Sequence, residues 1–401
     1  MEAIASKAQG RSVPTAQSRE PGTAEGESLK DKLTQSMQPV SHALTLPPRV
    51  YTSPDVYELE KATIFSREWI MVGRAEQIPN VGDFFTSELF GRKWLIVRAS
   101  SEEICCFSRV CLHRSALIAD GSGNCKTFVC PYHSWSYDLR GKLRSARDIA
   151  KTSFSESKSQ LPAARAEVWE GCIFINFDPG AKPLAGQILG LTEFFAPYEF
   201  ADMVLLPDYV EFDTRMNWKV LCENFMEAYH HPGPHLHLLQ KPFPYTASYI
   251  LDNRDEPWSV LAMPNPAEED QNLLPPIKGL TDWRKTGLVA AIVYPTTLLA
   301  FTGDIGIWYQ IIPDTFDHFT LRIRTLVPLS SMQVEGFDQI AKTIREEFLR
   351  PLHLQDEAIN NSVWAGLNSP DATQGRLHSK FELSLWQMNQ WWCRHVGVYL
   401  A

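Results

Sequence analysis

Two short units in this 401-residue chain pair a cysteine with a histidine: Cys111-Leu-His113 and Cys130-Pro-Tyr-His133, with Trp135 close behind. Structural zinc takes Cys-x(2–4)-Cys units in pairs, or a pair of cysteines followed by a pair of histidines. Here each unit mixes one sulfur with one imidazole. A [2Fe–2S] centre with two thiolates on one iron and two imidazoles on the other needs two loops that each supply one of each. Imidazoles in place of anionic thiolates raise the reduction potential, which suits a centre that passes single electrons onward. Cys111, His113, Cys130 and His133 are therefore the expected ligands of such a cluster, with zinc and a chance grouping as the alternatives. Cys105, Cys106 and Cys125 are read as ordinary thiols.

An electron carrier needs a destination, and the segment NWKVLCENFMEAYHHPGPHLH, from Asn217 to His237, offers one. Its first part, up to His231, has helical character, and Pro232-Gly233-Pro234 must end the helix. Asn224, Glu227 and His230 recur every three residues, so they share one face of an otherwise apolar helix. Polar groups facing a core need partners, and a metal ion is one. His235 follows the turn and can swing back toward His230. Two histidines and one carboxylate, with positions left open, form the facial triad of non-haem Fe(II) oxygen chemistry, because substrate and O2 must share the free side of the iron. Glu227 is one candidate carboxylate, although a partner from another element closes the triad more easily. His231 and His237 compete as ligands, and spacing alone leaves them open. Near the C-terminus Asp356, Ile359 and Val363 fall at i, i+3 and i+7, which puts Asp356 on the apolar side, while Glu357 falls with Asn360, Asn361 and Trp364. Asp356 is the expected inward carboxylate, a capping or solvated Asp being the plain alternative.

These loops and helices need a scaffold, and the chain is long enough to bury one large core or two moderate ones. Its 38 basic and 47 acidic residues give a net charge of −9, with no basic block, which argues against nucleic acid or an anionic membrane surface as partner. No apolar run approaches the roughly 18 residues that cross a bilayer, and no secretory signal is evident, so a cytoplasmic location is expected. Residues 1–45 are expected to be a disordered tail, since Met1 to about Ser41 is rich in Ser, Ala, Gln, Glu and Gly. A transit peptide is the other reading, against which Glu20, Glu25 and Glu27 stand. An amphipathic helix is predicted from Pro54 to Trp69, followed by strand-like runs DFFTSELF, KWLIVRA, ICCFSRV, KTFVC and SWSYDL separated by turns. This first domain, 46–166, reads as small and all-β, with the Cys-His units at loop tips. The second, 167–401, opens with EVWEGCIFINFD and continues with LVAAIVYPTTLLAFT, GIWYQIIP and HFTLRIRTLVP as longer strands, and with helical patterns at Trp218–His231 and Val334–Leu367. The fold class is α+β.

With these motifs in place, the chain from about Leu46 onward resembles the Rieske non-haem iron oxygenases in their terminal oxygenase (α) subunit. The resemblance rests on the two Cys-His units, on EVWEGCIFINFD, and on ENFMEAYHHPGPH and LQDEAINNSVWAGL. It implies an all-β Rieske [2Fe–2S] domain and a helix-grip catalytic domain, an antiparallel sheet wrapped on a long helix. It selects His230, His235 and Asp356 as ligands of a mononuclear Fe(II), and it gives catalytic roles to Glu227 and Asn224. Glu227 would link the cluster of one subunit to the iron of its neighbour, which implies a homotrimer. A separate NAD(P)H-dependent reductase would supply the electrons, and O2 and a small molecule would be the substrates. Many ring-dihydroxylating members carry Asp where this chain has Glu227. Glu there, with the Asn-Trp-Lys lead-in, looks more like the branch of choline monooxygenase, carnitine monooxygenase and glycine-betaine demethylase. The implied activity is hydroxylation or demethylation of a small organic substrate, a quaternary amine among the candidates. A ring-dihydroxylating dioxygenase α subunit with a β partner is the alternative, and an electron carrier with the cluster alone is the third. Ser115 departs from the Gly usual after Arg114, a loop change expected to spare ligation. Trp258, Tyr294, Trp308 and Trp364 are candidates for an aromatic cage that sequence cannot assign.

Overall fold

The computed structural model describes residues 28–147 and 159–400. Two seven-stranded antiparallel sheets organise it. The first runs in the order Ile70–Arg74, Cys172–Asn176, Ala163–Trp169, Ile104–Ser108, Arg92–Arg98, Asp83–Leu89 and Ser122–Asn124. Its interior strand Arg92–Arg98 carries Trp94, Leu95, Ile96 and Val97 buried in succession, as a strand covered on both faces must. A three-stranded sheet, Phe128–Val129, Ser136–Tyr137 and Leu143–Ser145, stands beside it. The second large sheet runs Met203–Thr214, His318–Pro328, Gly306–Thr315, Thr297–Phe301, Leu288–Val293, Trp258–Met263 and Tyr249–Ile250. The helix Trp218–Phe225 packs against the long helix Arg350–Leu367. One apolar core links the two halves, from Leu33 and Phe65 through Ile173 and Trp218 to Trp392. The α+β class is as expected.

Several boundaries differ from the expectation, each for a physical reason. The EVWEGCIFINFD hairpin closes the first sheet instead of opening the second domain. Cys172–Asn176 pairs with Ile70–Arg74, and Cys106 pairs with Ala164, so the hairpin fills the gap between strands distant in sequence. Part of the segment expected to be a tail is structured: Ser28 caps the helix Leu29–Ser36, and Leu33 of that helix is buried in the core. Residues 1–27 lie outside the described residues, so the expectation for them is not addressed. LVAAIVYPTTLLAFT is two strands paired around Tyr294-Pro295-Thr296, not one, because Pro295 cannot continue a ladder. Two predicted helices contain π segments, Lys61–Phe65 and Ile344–Leu349, the second joining Phe337–Thr343 to Arg350–Leu367. The helix expected over Trp218–His231 stops at Phe225. Among the described residues no helix is long and apolar enough to cross a membrane, and all eight cysteines are free.

Candidate metal centres and substrate cavity

The two Cys-His units form matched loops. Ser115 N–H donates to the Cys111 carbonyl at 3.1 Å and Ser134 N–H to the Cys130 carbonyl at 3.0 Å. Both serines take left-handed backbone, φ 55° and 59°, where glycine is the easy residue. Cys111 and Cys130 are buried, while His113 is exposed and His133 half-buried. The imidazole rings meet at 4.5 Å, and Trp135 stacks on His113 at 4.7 Å. The Tyr137 hydroxyl lies 3.2 Å from Cys111 Sγ and accepts the Leu112 N–H at 3.0 Å. Desolvation, then the charges of His113 and Arg114, push His133 toward its neutral, ligating form. Two interior sulfurs and two outward imidazoles on facing loops fit a mixed-ligand [2Fe–2S] centre.

The second constellation begins on the helix Trp218–Phe225. Asn217 caps it by accepting the Lys219 N–H at 3.1 Å, and Lys219, fully buried, is paired with Glu60 at 2.6 Å. Trp218 and Trp392 donate to the same carboxylate, so the buried charges are satisfied. Beyond Phe225 the chain turns. One Glu227 oxygen accepts the His230 N–H at 2.9 Å and the other makes a short contact with His230 Nδ1, a local cap that replaces further helix. His235 returns in the turns after Pro234, and the long helix brings Asp356. Asp356 Oδ1 lies 2.8 Å from His235 Nε2 and 3.5 Å from His230 Nε2. The three ligand atoms fall within 4.8 Å of one another. His231 is turned to the Phe243 carbonyl at 3.2 Å and His237 is exposed, so neither joins this group.

Electrostatics follow from that packing. Burial disfavours a charged His230, but Asp356 and Glu227 outweigh it and raise the imidazole to about 9. Asp356, despite its own burial, is held well below the ordinary carboxylate range by His230 and His235. Burial, then the His230 charge, lowers His231 to about 3. One carboxylate and two Nε2 atoms on one side of a cavity fit a divalent metal, which would take the place of the protons these groups share.

Asp356 faces inward, but not in the company of Ile359 and Val363. Ile359 and Val363 are 41% and 45% exposed, and the inward stripe runs instead through His353, Asp356, Asn360 and Trp364. Asn360 donates to Asn224 Oδ1 at 3.3 Å, which ties the two helices beside the site. Sequence reasoning missed Asn360 and also Gln355, whose Oε1 lies 2.8 Å from His235 Nδ1. Its position next to a candidate ligand was the one available signal. A cavity of about 70 Å³ opens onto the metal group, with Asn224 and Glu227 in its wall and Phe225, Tyr309 and Phe348 as its phenyl-type rings. Trp258, Tyr294, Trp308 and Trp364 do not line it. Nothing in sequence marked Tyr309; a strand pairing brings it there.

This fold and these donor sets fit an iron–sulfur domain followed by a mononuclear metal domain. Residues 68–158 match the Rieske [2Fe-2S] domain, and residues 205–397 match the ring hydroxylating alpha subunit catalytic domain. The chain thus carries a match to each of these two domains, one after the other. It is 35% identical over 199 residues to the carnitine monooxygenase oxygenase subunit of Escherichia coli (strain K12), covering 48% of this chain and 53% of that protein. It is 30% identical over 203 residues to the chloroplastic choline monooxygenase of Amaranthus tricolor, covering 49% and 46% of the two. Against the benzene 1,2-dioxygenase subunit alpha of Pseudomonas putida it is 32% identical over 204 residues, covering 49% and 45%. The chain thus spans about half the length of the curated relatives it matches. In fold it is similar to the quaternary ammonium Rieske monooxygenase CntA, at TM-score 0.76 and 22% identity over 92% of this chain and 98% of that one. The similarity to naphthalene 1,2-dioxygenase from Rhodococcus sp. is the same, TM-score 0.76, at 17% identity over 92% and 98%.

Proposed function

We propose that this chain is the terminal oxygenase component of a multicomponent Rieske system, with Cys111, His113, Cys130 and His133 holding the cluster and His230, His235 and Asp356 holding iron. The observation that carries this reading is the convergence of those last three ligand atoms within 4.8 Å at the wall of a largely apolar cavity. When bound, the cluster supplies single electrons and the iron activates O2 beside an organic substrate. Gln355 accepts the Nδ1 proton of His235 and leaves Nε2 as the ligating atom. Glu227 does the same for His230. Its carboxylate is the group through which the cluster of a neighbouring copy would reach this site, hence a homotrimer. The apolar wall excludes water and favours an organic guest.

Electrons would come from a separate NAD(P)H-dependent reductase, and the reduced thiols agree with a cytoplasmic setting. The relatives leave two outcomes open, hydroxylation or demethylation of a small substrate, a quaternary amine included, or cis-dihydroxylation of a ring. Iron analysis and single turnover test the reading together. Three irons per chain, falling to two in Asp356→Ala, are expected of an oxygenase, whereas two irons and an indifferent Asp356→Ala would make the protein an electron carrier. Single turnover of the reduced protein under O2, read by mass spectrometry, separates one added oxygen or released formaldehyde from a cis-diol. Size-exclusion mass reads the trimer and any β partner.

A further inference from the structure

The chemistry of the cavity wall narrows the substrate. Leu261, Met263, Leu288, Ala290, Ala300 and Ile307 form an aliphatic floor from four strands of the second sheet. Neither Arg nor Lys lines the cavity, so a substrate carboxylate would be buried without a partner, at a cost of several kcal/mol. A cation fares no better. The two carboxylates in the wall, Asp356 and Glu227, together offset one divalent ion and are already engaged by His230 and His235. Three phenyl-type rings line the cavity, and two of them, Phe225 and Tyr309, contact each other at 4.9 Å. An aromatic cage needs rings on several sides of the ammonium group.

Tyr309 supplies the polar handle. It is buried on the strand Gly306–Thr315, no hydrogen bond engages its hydroxyl, and burial followed by the Asp356 charge keeps that hydroxyl protonated. Asn224 has its carbonyl oxygen engaged by Asn360, so it too offers a donor. The cavity volume of about 70 Å³ is about half of the roughly 150 Å³ that accommodates benzene, so a single ring already needs side chains to give way and two rings do not fit.

We propose that the cavity takes an uncharged, mainly apolar substrate of at most one ring, whose oxygen acceptor is met by the Tyr309 hydroxyl. This deepens the oxygenase reading and rests on it. The test is calorimetric titration of the metal-loaded protein with acetophenone, toluene, benzoate and choline, with iron counted in the same samples. Acetophenone binds with saturation, toluene more weakly, and benzoate and choline give no saturable heat. Tyr309→Phe lowers acetophenone affinity about 3- to 10-fold, the worth of one hydrogen bond, and leaves toluene unchanged. Ala300→Phe fills the cavity and abolishes both while the iron count stays the same. Choline or benzoate binding more tightly than acetophenone overturns the inference, as does acetophenone binding that survives Ala300→Phe or no neutral probe binding at all. Three irons per chain with any of these results reject the substrate class alone, whereas two irons reject the oxygenase reading.

Discussion

Gln355 stands 2.8 Å from Nδ1 of His235 through its side-chain oxygen, while its chain neighbour Asp356 lies 2.8 Å from Nε2 of the same ring. Adjacent residues on one helix therefore grip opposite nitrogens of one imidazole. An acceptor at Nδ1 holds the proton there and leaves Nε2 free for a metal. Gln355→Leu keeps the helix and removes that acceptor, so iron affinity should fall about 10- to 100-fold. Metal titration of the mononuclear site reads this, and the cluster absorbance should be unchanged. Wild-type affinity in Gln355→Leu would mean that packing alone orients His235.

Glu227 touches His230 twice, at its backbone N–H and at its ring nitrogen. Glu227→Gln keeps an acceptor for one of these contacts and removes the negative charge. Both metals should remain bound, and oxidation of the reduced cluster under O2 with substrate should slow about 10- to 100-fold. Stopped-flow absorbance of the cluster follows it. Normal turnover in this variant would remove Glu227 from the electron route.

Ser115 has φ 55° in the first cluster loop, a conformation that costs a side-chain-bearing residue about 1–2 kcal/mol relative to glycine. Ser115→Gly should raise stability by about 0.5–1 kcal/mol, because the freer unfolded glycine gives part of that back. Chemical denaturation measures the gain, and the cluster spectrum should not move. The matching position Ser134, at φ 59°, provides an internal repeat of the experiment.

Glu223 lies on the helix that carries Asn224 and accepts the Tyr51 hydroxyl at 2.6 Å. Burial raises its carboxyl to about 7, even though Tyr51 and Lys219 favour the charged form. A raised folded value adds stability that is complete below the unfolded carboxyl range, near 4.3, and is lost as pH rises through about 7. Wild-type stability relative to Glu223→Gln should therefore fall by about 1–3 kcal/mol between pH 4.5 and pH 7.5. Denaturation curves of the two proteins across that range decide it; parallel curves would show a carboxyl titrating in its usual range.

Much of the site was legible in the chain. Ligand chemistry is local where a loop is short, so Cys111-x-His113 and Cys130-x-x-His133 could be read as a mixed-ligand centre without any fold. Asn224, Glu227 and His230 were likewise legible as a polar stripe, although the helix that suggested it ends at Phe225. There the Pro232-Gly233-Pro234 block and the Glu227 carboxylate offer backbone groups an alternative to helical pairing. Asp356 was picked by periodicity with the wrong neighbours, since Ile359 and Val363 face outward and Asn360 faces in. An apolar residue on a helix marks the core only if something covers it, and the pattern cannot say what does.

The sequence by itself determined the donor types, their local spacing, the α+β class and the joining of two kinds of metal chemistry. Tertiary structure alone decided that His231 turns to a backbone carbonyl, that Gln355 holds His235, that EVWEGCIFINFD completes the first sheet, and that Tyr309 faces the cavity. Each of these is a pairing between segments far apart in the chain, set by which surfaces bury one another, and no local spacing encodes it.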